Sequence, residues 1–188
     1  VVKITSGIVS YLVLESLYYS ATTDPCSIGT PRTAGAIDPA FDPGINSATS
    51  VGKVAIQSTG KIIVSMPSTF VNSNPVEGII RFNTDGTIDN SFALNTYTSN
   101  VLIIQPDDKV VVAASNGTYA YLARLNANGT PDNTFNTNAP QHYSGYIPAA
   151  AIQPDGKIVY SFIDFSGIQQ MARLNTDGTI DASFSAPT

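Results

Sequence analysis

Internal repetition constrains this chain more than any other feature, because a unit recurring at a period of about fifty residues must fold as one supersecondary element stacked on its neighbours. The stretch Ala55-Ile56-Gln57-Ser58-Thr59-Gly60-Lys61-Ile62 returns as Ile103-Ile104-Gln105-Pro106-Asp107-Asp108-Lys109-Val110 and as Ala151-Ile152-Gln153-Pro154-Asp155-Gly156-Lys157-Ile158. The three glutamines stand 48 residues apart. A second landmark, Arg81-Phe82-Asn83-Thr84-Asp85-Gly86-Thr87-Ile88-Asp89-Asn90-Ser91-Phe92, is matched over residues 124–135 and 173–184. A truncated copy, Gly35-Ala36-Ile37-Asp38-Pro39-Ala40-Phe41, precedes the first full unit.

Each landmark is a turn between strands. In Gln-Pro-Asp-Gly-Lys the Pro presets φ at the first corner and the Gly accepts the positive φ that closes a short hairpin, while the flanking runs are β-branched. Asp108 replaces that Gly in the second copy, which predicts a modestly strained turn. Strands are expected over 53–57, 61–66 and 78–83, with equivalents in the later copies. The period of two then places Ile80 and Phe82 on one face and Arg81 with Asn83 on the other. No copy contains a helical window with convincing caps.

Three or four short strands per unit of forty to fifty residues is the proportion of a propeller blade. The expected fold is therefore all-β, with three tandem propeller-blade-like antiparallel units at about 35–92, 93–135 and 136–188. Together they make a domain over 35–188, preceded by an N-terminal arm over 1–34. Phe41, Phe92, Phe135 and Phe184 recur in phase, as packing residues between units do, and all four are expected to be largely buried.

The combination Ala-Ile-Gln-Pro-Asp-Gly-Lys-Ile followed by Ala-Arg-Leu-Asn-x-Asp-Gly-Thr-x-Asp-x-Ser-Phe resembles the delta-sixty repeat family. These are propeller-like repeats of unassigned function in large bacterial surface or secreted proteins and in some phage structural proteins. The resemblance covers about 35–186 and is fullest in the third copy. It implies a fold and a habitat, with no catalytic residues to carry over. The chain departs from the family in copy number, since a closed propeller needs four to eight blades. Three units leave open edges, and open edges invite intermolecular pairing.

Composition narrows the function classes. Asp, Glu, Lys and Arg make up 12% of the chain, about half the usual share, and a neutral polar surface of this kind is common on secreted and virion proteins. The net charge of -5 offers no footprint for a phosphate backbone, so no nucleic-acid partner is expected. Cys26 is the only cysteine and His142 the only histidine. No internal disulfide, zinc site or Cys/His nucleophile can be assembled from them, and His142 reads as a surface residue in a loop insertion of the third copy. There is no phosphate-binding glycine loop and no Gly-x-Ser-x-Gly elbow. The expectation is a non-enzyme without cofactors.

The first residue is Val1 rather than Met, which suggests a processed mature chain or a fragment of something longer. The apolar run over 8–19 is too short and too interrupted to span a bilayer, so no membrane span is expected. Val1, Val2, Ile4, Ile8, Val9, Leu12 and Leu14 make this arm a candidate to pair with a neighbouring subunit or to cover an edge of its own domain. Strand and helix both remain open for it.

Three sets of residues are candidate sites. Asn83, Asp85 and Asp89, and likewise Asn175, Asp177 and Asp181, offer oxygens at positions one, three and seven of a Gly-containing loop, part of a calcium loop. A plain turn in which Asp or Asn caps its own backbone is the simpler reading. Arg81, Arg124 and Arg173 lie on strands inside stacked sheets and need partners, for which Asp38, Asp89, Asp132 and Asp181 repeat in the same phase; anion binding by these arginines is the other reading. Tyr97, Tyr119, Tyr121, Tyr143 and Tyr146 are candidate stacking platforms for a surface glycan or receptor, although they do not repeat in phase. The expected role is a structural or assembly component of an extracellular appendage, adhesin array or phage particle, built by self-association into a homo-oligomer or larger assembly. The alternative is a glycan-binding propeller-like adhesion module.

Overall fold

The computed structural model describes residues 38, 41–43, 51–71, 74–93, 99–143, 146–164 and 166–186, with 67–71 and 74–77 described as main chain only. Within them lie three antiparallel sheets, one built on each unit, the second completed by a short strand from the 136–188 span. The first has the order β1 (Lys53–Ile56), β2 (Ile62–Val71), β3 (Asn74–Phe82). The second holds β4 (Leu102–Ile104), β5 (Val110–Ser115), β6 (Tyr119–Leu125) and β7 (His142–Tyr143). The third holds β8 (Tyr146–Ile152), β9 (Ile158–Ile163) and β10 (Gln169–Leu174), with β9 central.

The first hairpin of every unit closes on the Gln-x-x-x-Lys turn, where the Gln amide donates to the Lys carbonyl at 2.8 or 2.9 Å. Gly60 and Gly156 take φ of 80° and 81°, and Asp108 takes the same left-handed conformation at 62°. The second hairpin of the first unit runs further than its apolar pattern predicts, to Val71 and Asn74. The ladder shifts register between Met66 and Thr69, around Pro67, and again in the third sheet between Tyr146 and Ala149, around Pro148. Proline lacks the amide that a ladder requires, so a bulge is how a strand accommodates it.

After each third strand the Asn-x-Asp/Asn-Gly turn returns the chain through a single bridge, Phe82 to Ile88, Leu125 to Pro131 and Leu174 to Ile180. The second unit then forms one helical turn, α1 (Asn133–Asn136), capped by the Asp132 side chain accepting the Thr134 amide. This corrects the expectation of no capped helix. The Asp-x-Ser/Thr cap is present in all three copies, so it could not single out the one in which the turn continues.

The period of two sorts each sheet into two faces. Ile62, Val64, Met66, Ile80 and Phe82 form one core cluster on the front of the first sheet, with Phe41 packed against it. Ile63, Ile79 and Phe92 from its back meet Val110, Val112 and Leu125 on the front of the second. Val111, Leu122 and Phe135 from the back of the second meet Ile147, Ile158, Tyr160 and Leu174 of the third. The core is thus a set of layers between units. Among the described residues no helix is long and apolar enough to cross a membrane.

Candidate functional site

The register that puts Ile63 beside Arg81, Val111 beside Arg124 and Val159 beside Arg173 turns each arginine toward the back of its own sheet. Each donates from Nε or Nη2 to an aspartate oxygen at 2.8 Å: Arg81 to Asp89, Arg124 to Asp132, Arg173 to Asp181. A lysine from the first hairpin reaches the same oxygen, Lys61 at 2.5 Å, Lys109 at 3.1 Å and Lys157 at 2.8 Å. The other carboxylate oxygen accepts from the hydroxyl of Ser91, Thr134 or Ser183 at 2.6 Å. Each guanidinium also lies over the phenylalanine of its own unit, 4.7, 4.5 and 5.0 Å from the rings of Phe92, Phe135 and Phe184.

These partners fix the charge states. Burial opposes ionisation of Asp89, but hydrogen bonds from Lys61 and Ser91 and the Arg81 charge outweigh it and hold the carboxyl far below its usual range. At Asp132 burial is likewise outweighed by Thr134, Lys109 and Arg124. At Asp181 the hydrogen bond from Lys157 leads, followed by those from Ser183. A carboxylate saturated with donors and held ionised is poorly matched to proton transfer near neutral pH.

Beyond the aspartates, the first two arginines reach the next unit. Arg81 Nη1 donates to the Ala127 carbonyl at 2.6 Å and Arg124 Nη1 to the Thr176 carbonyl at 2.7 Å, each acceptor lying in the following Asn-x-Asp/Asn-Gly turn. Gln57 adds bonds to the carbonyls of Asp108 and Ala127 at 2.9 and 3.2 Å. The glycine of that turn is required by contact as well as by φ. A Cβ on Gly129 would fall 2.8 Å from the Ala93 main chain, and one on Gly178 2.6 Å from the Phe135 carbonyl oxygen. Asp108 also has a use for its strained position, since its carboxylate accepts from the Ser58 amide at 2.7 Å and the Ser58 hydroxyl at 2.6 Å.

The two ends of the array differ from these joints. Phe92 and Phe135 are 3% and 0% exposed, whereas Phe41 and Phe184 are only half-buried, which corrects the expectation that all four are largely buried. Among the described residues no further turn closes on the Phe184 ring, and the Arg173 side chain is 20% exposed against 8% and 9% for Arg81 and Arg124. Asp38, half-buried, accepts the Phe41 amide through its carbonyl at 3.2 Å. The same turn joins Asp89 to Phe92, Asp132 to Phe135 and Asp181 to Phe184. A Cβ on Gly86 would meet the Asp42 main chain at 3.0 Å, so the truncated copy occupies the place on the first unit that a preceding unit would fill.

The calcium-like loops are turns closed on themselves. The Asp85 carboxylate accepts from the Thr87 amide and hydroxyl, and Asp177 does the same with Thr179, which lowers both carboxyl pKa values. Asn83 and Asn175 donate across the turn to those threonine hydroxyls at 3.0 Å, while Asp89 and Asp181 face their Lys and Arg. Among the described residues no group of three His, Cys, Asp or Glu side chains is placed to hold a metal ion.

His142 is half-buried in β7 rather than a surface loop residue. Its ring stacks on Phe162 at 3.7 Å and its Nε2 lies 2.8 Å from the Tyr160 hydroxyl, and burial lowers its pKa. β7 pairs with β6 at the edge of the second sheet, bringing Tyr143 against Tyr119 edge to face at 5.5 Å. Tyr143 and Tyr146 are 52% and 49% exposed, and the Asn100 amide donates to the Tyr146 hydroxyl. Tyr146 and Asn100 line a small cleft of about 80 Å³. Tyr121 instead packs on the core between the first two sheets. Tyr97 and the arm residues Val1, Val2, Ile4, Ile8, Val9, Leu12 and Leu14 lie outside the described residues, as does Cys26.

The residues that sequence reasoning passed over are Lys61, Lys109 and Lys157 with Gln57, Gln105 and Gln153. Their signal is present in the sequence, because both types recur in phase with Arg and Asp. The chain matches no curated protein. The family model for the domain of unknown function (DUF5122) beta-propeller matches residues 57–92, 105–135 and 153–184, the three spans that run from each Gln to each Phe. Since these matches cover more than half the chain and fall on the repeated joints, the protein belongs to the domain of unknown function (DUF5122) beta-propeller family.

Proposed function

We propose that the chain is a non-catalytic building block of an extracellular appendage, adhesin array or phage particle, working by self-association of its β-repeat units. One observation carries the reading: Arg81 and Arg124, each held by the Asp of its own unit, bond a turn carbonyl of the next unit, and the third unit holds the same set with no further unit against it among the described residues. The low charge content and the resemblance of the repeats to the delta-sixty family support a place outside the cytoplasm. Sedimentation of the native protein across a concentration range tests it. A single species at the monomer mass throughout would remove the assembly role.

A glycan-binding role is the second reading, favoured by the exposed Tyr143 and Tyr146 beside Asn100. A glycan array probed with the protein and with Tyr146→Ala tests it, and absence of any binding that depends on Tyr146 would dismiss it.

A further inference from the structure

We propose that the back face of the third unit receives the first unit of a second copy of this chain, with the turn at 83–86 of that copy set on Phe184 and Arg173. The inference rests on the self-association reading and names its surface and partner. The two internal joints show what this face is shaped to hold. Met171 occupies the position of Ile79 and Leu122, which are 0% and 1% exposed, yet Met171 is 46% exposed. Val159 stands where Ile63 and Val111 are fully buried, and is itself only half-covered. Ala149 and Ala151 on the same face are exposed. All three arginines bond the glutamine of their own unit through Nη1, at 3.1, 3.4 and 3.4 Å, and Arg81 and Arg124 add a turn carbonyl of the next unit at 2.6 and 2.7 Å, a bond that Arg173 lacks among the described residues.

The matching front face is that of the first unit. Its turn, Asn83-Thr84-Asp85-Gly86, has the sequence of Asn175-Thr176-Asp177-Gly178, the turn that sits on Phe135 and Arg124. In the monomer that place is held by the truncated copy, which supplies a half-buried Phe41 in the position where Phe184 of a second copy would stand. Phe41 and its neighbours therefore act as a cap that competes with the tail of another molecule. Exchange buries Phe184, Val159 and Met171 together, more apolar surface than Phe41 alone contributes among the described residues of the cap. Two copies joined in this way at both ends carry six units, within the range at which propeller rings close.

Sedimentation velocity of the full chain, three single variants and one double variant tests this, with circular dichroism to confirm the sheets. Met171→Arg changes a side chain exposed in the monomer, and should weaken association at least tenfold without loss of fold. Arg173→Lys keeps a cation for Asp181 but removes the second fork, and should weaken association as well. Phe41→Ala loosens the cap and should tighten association at least tenfold, an effect that Met171→Arg added to it must abolish. If Met171→Arg associates like the parent, this face is not the contact and assembly runs through another surface. If Phe41→Ala leaves association unchanged or weaker, the head-to-tail arrangement is overturned. If neither the parent nor Phe41→Ala associates at any concentration, the inference and the proposed function both fail.

Discussion

The array makes the same side chain matter differently at a joint and at an end, and a pair of truncations measures the difference. Phe135 is fully buried, with Arg124 4.5 Å above its ring and the Gly178 turn against its main chain. Phe135→Ala should cost about 3 to 5 kcal/mol, the usual range for deleting a buried phenylalanine whose cavity cannot collapse. Phe184 carries the same chemistry under Arg173 but is only half-buried, with no further turn on it among the described residues. With roughly half the transfer term and little cavity, Phe184→Ala should cost about 1 to 2 kcal/mol. Urea unfolding followed by circular dichroism gives both values, provided that the slopes agree. The runs belong at the lowest workable concentration, so that the proposed self-association would not cover Phe184. Equal costs at the two positions would refute the reasoning, because the differences in burial and in residual cavity predict a ratio of roughly two to three.

Gly178→Val should lower the melting temperature well beyond Gly117→Val, although both glycines hold a positive φ, 91° and 87°. At Gly178 the added carbon meets the Phe135 main chain, whereas at Gly117 it meets open space. The overpacking difference of about 1 to 3 kcal/mol is absent if the two shifts are equal. The stability contributed by the three repeated aspartates should be flat above about pH 5 and fall as acid is added. The folded carboxyls of Asp89, Asp132 and Asp181 lie below their unfolded values, so their contribution is present above the unfolded pKa and lost toward the folded one. Unchanged urea midpoints from about pH 5 to about pH 2 would contradict this. Asp108 and Ser58 should show a coupling of about 0.5 to 1 kcal/mol in a double-mutant cycle with Asp108→Ala and Ser58→Ala, and strict additivity would show that the bonds between them stabilise nothing.

Most of the sheet architecture was legible because its signals are local and repeat. Gly or Asp after Gln, Asn-x-Asp-Gly, and the alternation around Arg81 each state a turn or a face in a few residues. Proline was harder to read. Pro67 and Pro148 sit inside strands, and only the formed ladder shows that a bulge absorbs each of them. The pairing of Arg with Asp is legible from phase and from the cost of burying a lone charge. The lysine is not, because its identity as a third partner depends on the first hairpin folding beside the third strand. The half-burial of Phe41 and Phe184 escapes the sequence for a similar reason. Recurrence marks a position as equivalent in sequence, whereas burial depends on which unit packs against it in space.

That distinction bears on how such an array can grow. The front of the first sheet is wholly apolar along Ile62, Val64, Met66, Ile80 and Phe82, while the back mixes Ile63, Ser65 and Ile79 with Arg81. The two faces of a unit are therefore different surfaces, and the chemistry of the joint has a direction. A back-to-back contact would set one Arg, Asp and Lys cluster against another and offer neither arginine the turn carbonyl that Ala127 and Thr176 supply. Like charges brought together away from water are costly. A front-to-front contact would set two turns against each other, each Gly86 already meeting the Asp42 main chain of its own copy, and would bring no arginine to either turn carbonyl. Only a front laid on a back satisfies the arginine and the glycine at once, so the repeat itself encodes a heterologous contact, the kind that either closes into a ring or continues.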